Sequence, residues 1–123
     1  MSLLSFIFLN SCNSKIDLGN FSSINWKTDA YACHGQRKFQ FDLLKNYKEN
    51  MYGLTENGVV EILGMPNKQN LNERNRKTYF YYLEPGDKCN DTIVVNKFMI
   101  VDFDALNRVK LISTLVTNQD NPL

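Results

Sequence analysis

Few residues in this chain of 123 are able to do chemistry, and their spacing limits what that chemistry is. Cys33 is followed directly by His34, the single histidine. A thiol beside an imidazole invites a nucleophile or metal-ligand reading. Adjacent residues on a helix point about 100° apart, so the two side chains are poorly aimed at one another. No CxxC, HExxH or clustered ligand pattern accompanies them. Asp102 and Asp104 place two carboxylates close in sequence, but both stand at a strand end and hairpin, where Asp is ordinarily a turn former. Arg74, Arg76 and Lys77 form a small basic cluster, read either as a solvated loop or as a contact for an acidic partner or lipid headgroup. The sequence therefore assigns no catalytic, cofactor-binding or metal-ligating residue, and the expectation is a protein that is not an enzyme.

The three cysteines differ in setting. Cys12 follows the apolar run Leu3-Leu4-Ser5-Phe6-Ile7-Phe8-Leu9 and the residues Asn10 and Ser11. Leu9-Asn10-Ser11-Cys12 resembles the bacterial lipobox, with an aliphatic residue three positions before the cysteine and a small one just before it. The resemblance implies that Cys12 is acylated and that the leader is cut off ahead of it. No Lys or Arg precedes the apolar run, which departs from that pattern. The alternative is that the run is a first strand or helix with a buried Cys12. Cys33 and Cys89 lie inside the domain, and in an oxidising compartment each is the only partner available to the other. A bridge between them stabilises by roughly 4 kcal/mol in the chain-entropy view. In a reducing compartment the same residues are two independent thiols.

The elements that must position these groups are organised around Gly53 to Pro66. Thr55 is the N-cap, Leu54 and Val59 fit a hydrophobic staple, Gly64 suits a left-handed C-terminal residue, and Pro66 forbids continuation. Val59, Ile62 and Leu63 make the apolar stripe. Before this short helix, a longer one is expected from about Ala30 to Tyr47, capped by Thr28 or Asp29, with Ile24 and Trp26 opening the fold. Residues 67–76 read as a loop. Strands are expected at 77–83, 93–103 and 109–116, joined by a Pro85-Gly86 turn and a hairpin at Asp104 to Asn107. The boundaries are then 1–11 leader, 12–25 tether, 26–117 domain and 118–123 tail.

This order predicts an α+β fold in which two N-terminal helices cover one face of a three-stranded antiparallel meander. Strand alternation turns Tyr79, Tyr81, Leu83, Met99, Val101, Phe103, Val109, Leu111 and Leu115 toward the helices. It turns Phe80, Tyr82, Phe98, Ile100, Lys110, Ile112 and Thr114 away. On that outer face Phe80, Tyr82, Phe98, Ile100 and Ile112 are the candidate partner-binding residues, an apolar patch if nothing covers them. The alternative is that the tail or residues 13–25 lie across them. A net charge of +1 gives no general attraction to nucleic acid, and no apolar run approaches the roughly 20 residues that span a bilayer.

Gly53-Leu54-Thr55, Val59, Leu63-Gly64 and Pro66, followed by an aromatic strand and a hairpin around Phe103-Asp104, resemble the SmpA/OmlA (BamE-like) small lipoproteins. Gly58 departs from the pattern, where Gln or Glu commonly stands. The upstream helix and the 67–76 loop are similar to those of small lipoproteins of Bacteroidetes-like bacteria. The same short-helix motif occurs in the β-lactamase-inhibitor proteins. The resemblance implies a non-enzymatic lipoprotein of the cell envelope, held to the outer membrane by its lipid anchor and facing the periplasm or the cell surface. It implies an envelope protein as partner, in outer-membrane protein assembly or envelope integrity, or else an inhibitor or ligand-binding role. No cofactor and no nucleic acid enters either reading.

Overall fold

A computed structural model describes residues 16–72, 74 and 76–118. The leader, Cys12 and the final residues 119–123 lie outside the described residues. The fold is α+β, with three helices and a four-stranded antiparallel sheet of order β1-β2-β3-β4. The helices are α1 (Ser23–Thr28), α2 (Gln36–Leu44) and α3 (Glu56–Leu63), with a 3₁₀ turn at Lys48–Met51. The strands are β1 (Lys68–Leu71), β2 (Lys77–Tyr82), β3 (Val95–Phe103) and β4 (Val109–Asn118).

The short helix α3 forms as its ends dictate. Thr55 Oγ1 accepts from the Gly58 amide at 3.2 Å, and Gly64 closes the helix at φ +77° with its own amide donating to Val60. Val59 and Leu63 are buried. Gly58 leaves room for Leu54, whose side chain lies against it. The four carbonyls at the C-terminal end each find a donor. Lys27 Nζ donates to Glu61 O, Ser23 Oγ to Ile62 O, Trp26 Nε1 to Leu63 O and Tyr81 OH to Gly64 O. Helix ends carry such orphan acceptors, and here α1 and β2 satisfy them.

The expected helix from Ala30 to Tyr47 is not continuous. The chain turns through Ala32 at φ +62° and Gly35 at φ +80°, and α2 starts only at Gln36. Asp29 explains the break. Its buried carboxylate accepts from the amides of His34, Gln36 and Arg37, so it caps α2 across a loop instead of starting a helix where it stands. The packed body also begins before the expected boundary at residue 26. Leu18 is buried in the core, Ile16 and Phe21 pack against it, and α1 is already under way at Ser23.

Residues 67–76 are not simply a loop. Lys68–Leu71 pairs with β2, and Asn72 turns the chain by accepting from the amides of Arg74 and Arg76. This strand, β1, carries no apolar alternation because all four of its residues are exposed at the sheet edge. At the other hairpin Asp104 Oδ1 accepts from Leu106 and Arg108, and Asn107 takes φ +62°, as a turn of that composition does.

One irregularity reverses the face assignment of β4. Phe103 pairs with Val109 but Asp102 pairs with Leu111, so Lys110 is an extra residue in a bulge. A one-residue insertion moves every later side chain to the opposite face. Ile112, expected on the outer face, is fully buried in the main core beside Val101, whereas Leu111 is exposed and Leu115 joins the outer cluster. Thr114, opposite Met99, moves to the helical face for the same reason.

This flip is directly testable. Ile112→Lys buries a charge with no partner and should cost roughly 3 kcal/mol or more. Leu111→Lys should stay within about 0.5 kcal/mol of the wild type. Urea unfolding of both variants distinguishes this register from simple alternation, which demands the reverse order.

Candidate interaction surface

The outer face of the sheet is built in three cross-strand rows. Thr78, Asp102 and Leu111 form one row, Phe80, Ile100 and Ser113 the next, and Tyr82, Phe98 and Leu115 the third. Lys68 extends the middle row and places its ammonium over the Phe98 ring, 5.5 Å from the centroid. Phe80 packs edgewise on Phe98 at 5.8 Å, and Phe98 lies tilted against Tyr82 at 4.7 Å.

The expected patch is therefore only half open. Phe80, Tyr82 and Phe98 are buried, and Ala32 is buried with them. Ile100 and Leu115 are partly buried, and Leu111 is 44% exposed. Ile112 belongs to the other face. Of the two expected covers, residues 16–25 pack against the main core instead, and residues 13–15 and 119–123 lie outside the described residues. The connection between α1 and α2 lies across its third row, with Tyr31 edge-on to Tyr82 at 6.0 Å. The turn after β2 closes the same end. Tyr82 OH donates to Asp87, whose amide donates to the buried Asn96 side chain. A side chain at Gly86 would collide with Asn96, so this turn requires glycine.

Three fastenings hold the cover down. Cys33 and Cys89 are joined as a disulfide, with Cα atoms 5.5 Å apart. Asn67 donates from Nδ2 to Ala30 O at 2.8 Å and accepts from the Tyr82 amide at 3.0 Å. Arg37, only 2% exposed, donates from Nε to Trp26 O at 2.6 Å and from its terminal nitrogen to Tyr82 O at 3.2 Å. Its guanidinium stands 4.3 Å from the Trp26 ring centroid. Burial lowers its pKa to about 10, although Asp29 and Tyr81 oppose the shift, so it remains a cation at neutral pH. Sequence reading missed Arg37 and Asn67. A single Arg in an amphipathic stretch carries no mark of burial, and Asn67 stood in what read as a loop.

The groups singled out for chemistry are not brought together. The Cys33 sulfur is bonded to Cys89 and is no thiolate for His34. Asp102 accepts from Thr78 across the sheet, and Asp104 serves the hairpin. The basic cluster divides. Lys77 pairs with Glu56 at 3.0 Å, on the opposite face from the Thr78 row. Glu56 also accepts from Tyr79 OH at 2.7 Å. Burial opposes its charged form, but the bonds from Tyr79 and Lys77 outweigh this and lower its pKa. Among the described residues no group of three or more His, Cys, Asp and Glu could hold a metal ion, and no helix is long and apolar enough to cross a membrane. Comparisons with family models, with curated proteins and with solved structures gave no match.

Two outcomes follow from the packing. Replacing both Cys33 and Cys89 by Ala should cost about 4 kcal/mol, the loop-closure entropy of a bridge spanning 56 residues, as read by chemical denaturation. The second concerns alkaline pH. Burial, then the bond to Glu56, pushes Tyr79 up to about 12, and burial, then the bond to Asp87, does the same for Tyr82. Burial pushes Tyr81 up as well. Against an unfolded value near 10, the native chain keeps these protons longer, so stability is complete below about pH 10 and falls as pH climbs toward 12. Arg37 contributes the opposite slope over the same range, but it is one group against three. Phenolate absorbance of these tyrosines should rise together with loss of circular dichroism. Ionisation of all six tyrosines near pH 10 in a chain that stays folded would contradict the packing.

Proposed function

We propose that this chain is a non-enzymatic, lipid-anchored interaction module of the bacterial cell envelope, of the SmpA/OmlA kind. The observation that carries the reading is the outer sheet face, fastened shut at one end and open along Ile100, Leu111 and Leu115. A covered aromatic foundation makes the open end rigid, and a rigid apolar strip rimmed by Lys68, Thr78 and Asp102 suits a protein partner. The joined cysteines fit an oxidising compartment, and the lipobox-like Leu9 to Cys12 fits export and acylation. The anchor holds the domain to the outer membrane, facing the periplasm or the cell surface. The partner is another envelope protein, and the role is a scaffold in outer-membrane protein assembly or envelope integrity. Nothing in the net charge of +1 draws nucleic acid.

Tyr82 is too deeply buried to probe this surface, so the substitution belongs on the open strip. Leu111→Lys, at the most exposed residue of the strip, should leave the thermal transition within a few degrees of the wild type and abolish recovery of the partner after cross-linking in native membranes. Unchanged recovery would remove the strip from consideration. Recovery of a soluble enzyme in place of a membrane-bound protein would favour an inhibitor of the β-lactamase-inhibitor type.

A further inference from the structure

The packed body begins close to the proposed anchor. Ile16 already packs against the main core and Leu18 is buried in it. The Asn50 side chain donates to Asp17 O at 2.7 Å, and Gly19, at φ +63°, lies so close to the Tyr47 ring that any side chain there would collide. Asp17 and Gly19 are thus fastened to Asn50 and Tyr47, on the turn that follows Lys45. Only Asn13, Ser14 and Lys15 stand between Cys12 and Ile16. Four residue steps reach at most about 14 Å when fully extended. A headgroup layer takes up roughly 5–8 Å of that on each side of the bilayer. What is left is less than the diameter of one helix, about 10–12 Å. A tether running to Asn25 would instead have allowed a stand-off of about 45 Å.

We propose that the face formed by residues 16–20 and 45–50 is a membrane seat, lying against the headgroups of the bilayer that holds the anchor. The inference rests on the reading of Cys12 as the acylated residue. Tyr47 is partly exposed on this face, and a ring with a hydroxyl is favoured at headgroup level. Lys45 pairs with Asp42 at 3.5 Å, and Lys48 stands against Asp17 and Glu49 in the charge count, so the face carries no net positive charge and the length of the linker keeps the contact. The seat belongs to the helical side, since Leu18 packs among Trp26, Leu44 and Met51. The open strip of Ile100, Leu111 and Leu115 lies across the sheet from it and faces the aqueous space. Seating orients the strip for a partner.

The test uses the full-length protein extracted with its anchor and reconstituted in vesicles of phosphatidylethanolamine and phosphatidylglycerol. An amine-acylating reagent is applied, and modification of Lys45 is compared with that of the exposed Lys68 and Lys88 by peptide mass. The comparison chain carries a long Gly-Ser insert between Lys15 and Ile16. The expected result is that both chains float with the vesicles, while Lys45 reacts severalfold more slowly in the natural chain than in the extended one, at low and at high salt alike. Equal Lys45 reactivity in two floating chains overturns the seat and leaves the anchor standing. A natural chain that does not float, with Cys12 unacylated by mass, overturns the anchor and the seat together.

Discussion

A guanidinium stacked on an indole joins every layer of this fold. Arg37 has almost no solvent, so its charge must be met by the protein or the helix could not sit where it does. Trp26 meets it with its ring face and its carbonyl, Tyr82 with a strand carbonyl, and Asp29 with a nearby carboxylate. Trp26 in turn donates to the last turn of α3. One cation therefore ties α1, α2, α3 and β2 to common partners. Such an arrangement is weak evidence of net stability but strongly selects one packing, because any slip leaves a buried charge without company. The selection reaches the outer face as well, since the loop that Asp29 and Arg37 shape is the loop that covers Tyr82 and Phe98.

The two faces of the sheet then take different tasks. The helical face holds the main core and the N-terminal segment, which brings the body close to the proposed anchor. The outer face holds a second, smaller cluster of Ala32, Phe80, Tyr82 and Phe98, sealed by the disulfide at one end. A thin sheet with a core on each side is stiff, and its exposed strip cannot re-pack freely around a ligand. For the partner proposed above, that favours recognition of one fixed shape over adaptable binding. Glu56 at the start of α3, Asp102 across the sheet and Asp104 in the last turn are each held by structural hydrogen bonds.

Local sequence was enough wherever the deciding interaction spans only a few residues. Thr55, Gly64 and Pro66 set the limits of α3, and Asp104 with Asn107 set the last hairpin, because caps and turns are satisfied by near neighbours. The aromatic alternation of β2 and β3 assigned their faces correctly, since a pleat is a period-two property of the strand itself. The α+β class followed from that order of elements.

Tertiary structure decided what depends on distant partners. The break between α1 and α2 exists because Asp29 reaches forward to three amides and Cys33 reaches Cys89, neither of which a helical periodicity reveals. β1 is a strand only because β2 offers it hydrogen bonds; its own residues have no pattern. The Lys110 bulge exchanged the faces of Leu111 and Ile112, and a single inserted residue is invisible until the pairing register is known. Sequence alone determines the pieces whose energies are short in range, and the burial of Arg37, the cover over Tyr82 and the identity of the open strip arise only when the layers close on one another.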